Sequence, residues 1–225
     1  MRLSIVIPTR NEARGIVAML DTLQPVRAGG HKVIVVDGGS TDATLALARP
    51  LVDSAITAAT GRARQMNAGA SVANGDVLLF LHADSVLPVE AVRLLTAAMG
   101  EGRRWGRFDV EILGGTRTLK LVAGMMNLRS RWTGIATGDQ GIFVERALFE
   151  SVGGYPDIPL MEDIALSKRL KREGGYPACL KDRIVTSGRR WERHGPWRTI
   201  VAMWRLRAAY ALGADPEDLA RRYDG

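Results

Sequence analysis

The sequence has a single cysteine, Cys179, among its 225 residues, which excludes an internal disulfide. No group of Cys and His residues has the spacing of a zinc site. The sequence also lacks an apolar run of the roughly 18 residues that a membrane-spanning helix needs. The apolar stretch that ends at Pro8 is too short for the core of a signal peptide. We therefore expect a cytoplasmic protein, with attachment to the surface of the inner membrane as the other option.

Two glycine-rich phosphate-binding patterns are missing as well. Neither G-x-G-x-x-G after the first predicted strand nor G-x-x-x-x-G-K-[ST] occurs. The sequence therefore lacks the main motif that would identify a dinucleotide-binding or a P-loop protein. No helix-turn-helix, zinc finger or aromatic RNA-binding stretch is present. We therefore predict no nucleic-acid partner.

Positive charge is concentrated in the last third of the chain. The net charge is +7, and residues 165–207 contain 12 Lys and Arg against three acidic residues. Such an excess favours an anionic partner such as a nucleotide, a phosphorylated lipid or an acidic membrane. A solvated helix face is an equally good explanation of the charge run at 168–172.

The first hundred residues alternate between buried strands and helices. Apolar runs predict strands at 3–7, 32–36, 54–57 and 76–81, with helical patterns beginning at 16, 43 and 61. This alternation predicts an α/β fold, a Rossmann-like and mostly parallel sheet covered by helices on both faces.

The second half is less regular. Residues 107–113 alternate apolar with polar side chains, which predicts an exposed or edge strand. Helices are expected at 118–131 and 162–172, and a short strand at 141–144. A basic amphipathic helix with Trp and Arg is expected from 196 to 212.

Polar clusters follow three of the predicted strands, at 9–12, 37–40 and 82–84. In parallel sheets, ligands bind outside the carboxyl ends of the strands. Three carboxylates in these clusters, Glu12, Asp37 and Asp84, predict contacts to a base or ribose and ligation of a hard cation. The alternative is that the polar residues of these clusters cap the helices that follow them. For Ser40, in the cluster at 37–40, we expect helix capping.

Five segments in this order resemble the sequence pattern of family 2 glycosyltransferases, which have the GT-A fold. They are residues 4–12 together with 35–42, then 61–69, 75–84, 161–163 and 189–191. Residues 82–84, 138–141 and 187–192 resemble a bacterial subgroup of the arsenosugar-biosynthesis type. The resemblance implies a catalytic domain over 1–195, with a nucleotide-sugar half (about 1–100) and an acceptor half (about 101–195), and a C-terminal helix and tail over 196–225.

The resemblance also implies residue roles. Contacts to the nucleotide sugar fall on Pro8, Thr9, Glu12, Asp37, Gly39, Arg64, Asn67, His82, Ala83 and Asp84. Asp163 is the implied general base, and Glu162 orients the acceptor. Asp139, Gln140, Arg189, Arg190 and Trp191 are implied acceptor or diphosphate contacts.

A divalent cation, Mn²⁺ or Mg²⁺, is implied at Asp84. His82 stands where the family usually has Asp, two residues before Asp84. It is either a second metal ligand or a hydrogen-bonding partner of ribose or phosphate.

These features predict an inverting, metal-dependent transfer of a sugar from a UDP- or GDP-type donor to an unknown hydroxyl acceptor. The alternatives are a nucleotidyltransferase that makes activated sugars, and a non-enzymatic module that binds an anionic ligand or nucleic acid. The helix over residues 197–212 has three possible fates: packing on the catalytic domain, packing in a homodimer, or contact with a membrane surface.

Overall fold

Eight strands form one sheet in the part of the chain described by the structure, a computed structural model covering residues 1–114, 116–189 and 195–224. The strands are β1 (Leu3–Thr9), β2 (Lys32–Asp37), β3 (Ser54–Thr57), β4 (Val77–Phe80), β5 (Ser85–Val86), β6 (Trp105–Ile112), β7 (Ile142–Glu145) and β8 (Ala178–Thr186). Their order across the sheet is β3-β2-β1-β4-β7-β6-β8-β5.

Helices cover the sheet. They are α1 (Ile16–Asp21), α2 (Gln24–Ala28), α3 (Thr44–Ala48), α4 (Arg62–Val72), α5 (Ala91–Gly100), α6 (Arg117–Thr133), α7 (Arg146–Ser151), α8 (Glu162–Gly174), α9 (Pro196–Ala211) and α10 (Pro216–Asp224). The predicted α/β class is confirmed.

The first half of the sheet is parallel, as predicted. β1 pairs in parallel with β2 and β4, and β2 with β3. Ile5 and Ile7 point into one hydrophobic core and Val6 into the other, so both faces of the sheet are covered. Gly69 allows α4 to lie against β1, because a Cβ at that position would overlap the Val6 side chain. This packing brings the carboxyl ends of β1, β2 and β4 to one edge.

The second half is mixed rather than parallel. β7 is antiparallel to both β4 and β6, whereas β6 is parallel to β8. The prediction of an exposed or edge strand at 107–113 is wrong, because β6 lies inside the sheet. Its polar residues are buried together: the fully buried Arg107 pairs with Asp109 and donates to Ser130 Oγ and the Asn127 carbonyl, both at 3.0 Å. A buried ion pair thus produced the alternation that resembles an edge strand.

The expectation that Ser40 caps a helix is also wrong. α3 begins at Thr44. The Ser40 hydroxyl instead accepts a hydrogen bond from the backbone N–H of Asn11 at 2.8 Å and donates one to the Asp37 carboxylate. Ser40 therefore joins the loops that follow β1 and β2.

The C-terminal helices pack against the α/β domain. A hydrophobic cluster contains Leu160, Met161 and Ile164 around the start of α8, Leu206 of α9 and Leu219 of α10. Packing on the domain is therefore the fate that the structure shows for α9. Among the described residues, no helix combines the length and apolarity required to cross a bilayer. Membrane contact through residues 197–212 and a homodimer stay predictions.

Candidate active site

A cavity of about 990 Å³ opens at the carboxyl ends of β1 and β4. This volume lies at the upper end of the range for one drug-sized ligand, so it has room for two substrates. The structure brings the following predicted site residues to its wall: Pro8, Thr9, Glu12, His82, Ala83, Asp84, Asp139, Glu162, Asp163 and Arg189.

Arg189 bridges two acidic residues on the β1 and β4 side of the cavity. Its Nη2 lies 3.0 Å from Glu12 Oε2 and 3.4 Å from Asp84 Oδ2. The hydrogen bond to Glu12 raises the pKa of Arg189, and the charge of Asp84 adds to that effect. The carboxylates of Glu12 and Asp84 therefore both contact the Arg189 guanidinium, although they lie 177 and 105 residues from it along the chain, respectively.

His82 is held from two sides by the turn that follows α6. Its Nδ1 lies 3.2 Å from Asp139 Oδ1, and a Cβ added at Gly138 would overlap Nε2. The imidazole is mostly buried, with 14% of the side chain exposed. Both ring nitrogens therefore lie close to this turn. Metal ligation by His82 and its hydrogen bond to ribose or phosphate both stay predictions.

Glu162 and Asp163 begin α8, and both line the cavity. Met161, just before them, has the left-handed φ of +70°, a conformation that non-glycine residues seldom adopt. This turn directs the first residues of α8 toward the cavity. Asp163 accepts hydrogen bonds from the amides of Gly138, at 3.0 Å to Oδ2, and Ile164, at 2.7 Å to Oδ1.

Burial shifts both carboxyl groups toward the protonated form. It raises the pKa of Glu162 to about 7, with a further contribution from the Asp163 charge. Burial also raises the pKa of Asp163, while the Gly138 and Ile164 amides oppose the shift. Two adjacent acids with different surroundings are a common arrangement where one group accepts a proton and the other stays protonated.

Five other predicted residues lie away from the cavity wall. Asp37 ends β2 and accepts hydrogen bonds from the amides of Gly39 (3.1 Å) and Ser40 (2.8 Å), which shapes the loop beside Thr9. Asp37 and Gly39 thus lie next to Thr9, which lines the cavity, but outside its wall.

The side chains of the remaining three bind other protein groups. Arg64 forms an ion pair of 2.7 Å with Asp157 at the surface. The Asn67 side chain accepts a hydrogen bond from the Tyr155 N–H at 2.9 Å and donates one to the Tyr155 carbonyl at 2.8 Å. Gln140 is fully buried and accepts from the Thr137 amide at 3.2 Å. Arg190 and Trp191 lie outside the described residues.

Sequence reasoning missed four arginines that line the cavity, Arg10, Arg62, Arg129 and Arg207. Arg62 lowers the pKa of both Glu162 and Asp163, against the larger effect of burial. It opens α4 within the segment at 61–69, so the motif was recognised but this side chain was not. Arg129 and Arg207 lie on exposed-looking helical patterns, and no local signal distinguishes them from surface arginines.

The acidic side chains of the cavity are the candidate ligands of a divalent cation. Among the described residues, no three His, Cys, Asp or Glu side chains are close enough to form a protein cage. Asp84 and Glu12 nevertheless present carboxylate oxygens together at the cavity wall. Mg²⁺ and Mn²⁺ commonly take one or two carboxylates and complete their coordination with substrate phosphates and water. The residues present therefore fit a cation that arrives with a diphosphate.

Comparison with solved structures defines the class of fold. Staphylococcus aureus TarS (residues 1–349) superposes with a TM-score of 0.68 at 19% identity, covering 84% of this chain and 61% of TarS. Glucosyl-3-phosphoglycerate synthase from Mycobacterium tuberculosis, in complex with Mn²⁺, UDP and phosphoglyceric acid, gives a TM-score of 0.66 at 20% identity, covering 94% of this chain and 77% of the synthase. The chain has the GT-A fold of glycosyltransferases.

The sequence model of glycosyl transferase family 2 matches residues 4–135, more than half of the chain, and the protein belongs to this family. PGL/p-HBAD biosynthesis glycosyltransferases of Mycobacterium bovis and Mycobacterium tuberculosis are 33% identical over 173 residues. That alignment covers 68% of this chain and 62% of the relatives, so the chain spans less than two thirds of their length.

Proposed function

We propose that this protein transfers a sugar from a UDP- or GDP-type nucleotide sugar to a hydroxyl acceptor, with inversion at the anomeric carbon. The observation that carries the proposal is the position of Asp163. It lines the same cavity as Asp84 and Glu12, but it stands at the start of α8, whereas Glu12 follows β1 and Asp84 follows β4. A donor diphosphate near Asp84 and an attacking hydroxyl near Asp163 would therefore share one cavity.

The donor side consists of the loops after β1, β2 and β4. Thr9, Glu12 and Asp84 line it, and Asp37 shapes its rim. UDP is bound in the structures of TarS and of glucosyl-3-phosphoglycerate synthase, which supports a nucleoside diphosphate here. Asp84 would hold Mn²⁺ or Mg²⁺, and the ion would neutralise charge on the departing diphosphate. Arg189, which contacts both Glu12 and Asp84, is a candidate for binding the diphosphate oxygens, since a guanidinium can bind such oxygens in a bidentate manner.

Asp163 acts as the general base. Its carboxylate is oriented by the Gly138 and Ile164 amides and accepts the proton of the acceptor hydroxyl. The hydroxyl oxygen then bonds to the anomeric carbon while the bond from that carbon to the diphosphate oxygen breaks. Glu162, protonated up to a pH of about 7, donates a hydrogen bond that orients the acceptor.

In this scheme, different segments of the chain supply the donor side and the acceptor side. Residues 1–100 supply the donor side, and residues 101–195 supply Asp139, Glu162 and Asp163 on the acceptor side. The C-terminal segment contributes a further wall through Ile200, Met203 and Arg207. A nucleotidyltransferase is disfavoured because the loop after β1 lacks the glycine-rich phosphate site, and family 2 membership argues against a non-enzymatic module.

A thermal-stability screen tests the donor assignment. The protein is melted with UDP, GDP, CDP or dTDP, each with Mn²⁺, with Mg²⁺ or with chelator. A ligand at 100 times its Kd adds about 2.7 kcal/mol to the stability of the folded state. A metal-dependent shift for UDP or GDP supports the proposal, and the matching nucleotide sugars are then used for transfer. An α-linked donor that yields a β-linked product by NMR would establish inversion. No shift with any diphosphate would contradict the proposal.

A further inference from the structure

One part of the cavity is not used by the scheme above. It lies between α6 and α9, beside the Glu162–Asp163 pair, and its wall is apolar. The apolar side chains are Ile112, Val122, Met125, Met126, Ile200 and Met203. We call this part the α6–α9 pocket. Methionine-rich walls adapt to flexible apolar groups.

Two arginines interrupt this apolar wall. Arg129 comes from α6 and Arg207 from α9, and both line the cavity. Arg129 Nε and Nη2 and Arg207 Nε are buried and have no hydrogen-bond partner within the described part of the chain. Arg107, by contrast, is buried with Asp109, Ser130 and Asn127 as partners.

Unpaired guanidinium groups in such a place are costly. A buried charged donor that makes no hydrogen bond loses its hydration without compensation. Burial lowers the pKa of Arg129, and the neighbouring Asp163 charge raises it. Asp163 is near enough to influence Arg129 electrostatically, but it accepts no hydrogen bond from Arg129 Nε or Nη2. The donors that remain are suited to oxygen atoms of an anionic ligand.

We propose that Arg129 and Arg207 bind an anionic group of the acceptor, a phosphate or a carboxylate, whose apolar portion lies on the α6–α9 pocket wall. The acceptor is thus an anionic amphiphile, with its hydroxyl directed to Asp163. The inference rests on the proposed function for the role of acceptor, but the anion site itself is independent of it.

Binding of decyl phosphate tests the site directly. Its affinity is measured by calorimetry in the presence of saturating UDP and Mn²⁺, which keeps it out of the donor side. Decanol and inorganic phosphate are the reference ligands. We expect decyl phosphate to bind at least tenfold more tightly than either, since it alone has both the anion and the chain.

Substitutions assign that binding to the two arginines. Arg129→Gln and Arg207→Gln are each expected to weaken decyl phosphate at least tenfold, corresponding to the loss of one charge-assisted hydrogen bond. Arg117→Gln on α6 and Arg205→Gln on α9 are the matched controls, because both side chains are exposed and lie outside the cavity wall. If Arg129→Gln fails to fold, Arg207→Gln and Arg129→Lys, which keeps the charge, carry the test.

Three results would overturn the inference. They are equal affinity for decyl phosphate and decanol, equal weakening by the control substitutions, and affinity that neither Arg129→Gln nor Arg207→Gln changes. Equal affinity for decyl and inorganic phosphate would reject the apolar half of the proposal.

Capture of the protein by phosphatidylglycerol vesicles separates the sources of the anion. Capture that Arg207→Gln abolishes indicates a lipid headgroup, and capture that the substitution leaves unchanged indicates a soluble amphiphile. The proposed function is judged separately. Loss of UDP binding with retained, arginine-dependent decyl phosphate binding would reject the glycosyltransferase scheme and keep the anion site.

Discussion

The backbone N–H of Gly138 donates a hydrogen bond of 3.0 Å to Oδ2 of Asp163, and this contact joins the turn before β7 to the first residues of α8. The same turn packs on His82, which follows β4. The proposed base is therefore positioned relative to the donor side through a short chain of contacts, from β4 through His82 and Gly138 to α8.

Replacing the proposed base should separate binding from chemistry. In Asp163→Asn the amide oxygen still accepts a backbone hydrogen bond, so we expect the metal-dependent UDP shift to persist. Transfer should fall by about 10²- to 10⁴-fold, the usual contribution of a general base. Nucleoside diphosphate release in the presence of an acceptor measures the rate. Asp157→Asn, an exposed residue paired with Arg64, is the control and should keep full activity. Loss of UDP binding in Asp163→Asn would contradict the base assignment.

Asp84→Asn should abolish the metal dependence of nucleotide binding. Asparagine has a similar shape but no charge to hold Mn²⁺ or Mg²⁺ beside the diphosphate. We expect the UDP-induced rise in Tm to become the same with metal as with chelator. Asp182→Asn, on the exposed part of β8, should leave the rise intact. A normal metal-dependent rise in the Asp84 variant would place the cation elsewhere.

Gly138→Ala should destabilise the protein and slow transfer together. The added Cβ overlaps His82 Nε2, so the turn must move and the hydrogen bond to Asp163 with it. Overpacking of this kind costs about 1–3 kcal/mol. Gly124→Ala is the contrasting control: nothing lies within 4 Å of a Cβ added there in the middle of α6, and alanine should stabilise that helix by about 0.5–1 kcal/mol. Urea unfolding measures both changes, and a neutral Gly138→Ala would show that the turn has room to adjust.

The raised pKa of Glu162 predicts a pH-dependent stability. The carboxyl pKa is about 7 in the folded protein and 4.5 in an unperturbed glutamate, so between these limits the folded state binds a proton that the unfolded state does not. The free energy of unfolding should therefore fall as pH rises from 4.5 to 7, by up to about 3 kcal/mol from this group.

Glu162→Gln removes this titration, so its stability should change less over the same range. Urea unfolding at pH 5, 6 and 7 tests the difference. Glu173→Gln, an exposed position in the same helix, should behave as the parent protein. Parallel pH profiles for Glu162→Gln and the parent would mean that Glu162 titrates normally.

Local sequence patterns were sufficient for the parallel half of the fold. β1, β2 and β4 are continuous apolar runs because both faces of a parallel sheet are covered, and such runs can be recognised without tertiary information. The polar residues that follow them converge because parallel strands end at the same edge. The Glu162–Asp163 pair was recognisable from the family pattern alone.

The second half could not be predicted in the same way. β8 carries Lys181, Asp182 and Arg183 around an irregular pairing with β6, so it shows neither an apolar run nor strict alternation. Asn67 and Gln140 match the family pattern, yet their side chains bond to neighbouring backbone and side-chain groups away from the cavity wall. A motif identifies a position, whereas hydrogen bonding to distant residues determines what the side chain does there.

The sequence by itself determined the fold class, the edge of the sheet that bears the site, and the acidic residues that line the cavity. Only the tertiary structure decided that β6 is interior, that Arg189 bridges Glu12 and Asp84, and that Arg129 and Arg207 line the same cavity. The physical reason is range. Strands and their ends follow from residues that are neighbours in sequence, but the meeting of α6 with α9 depends on packing between segments that are far apart in the chain.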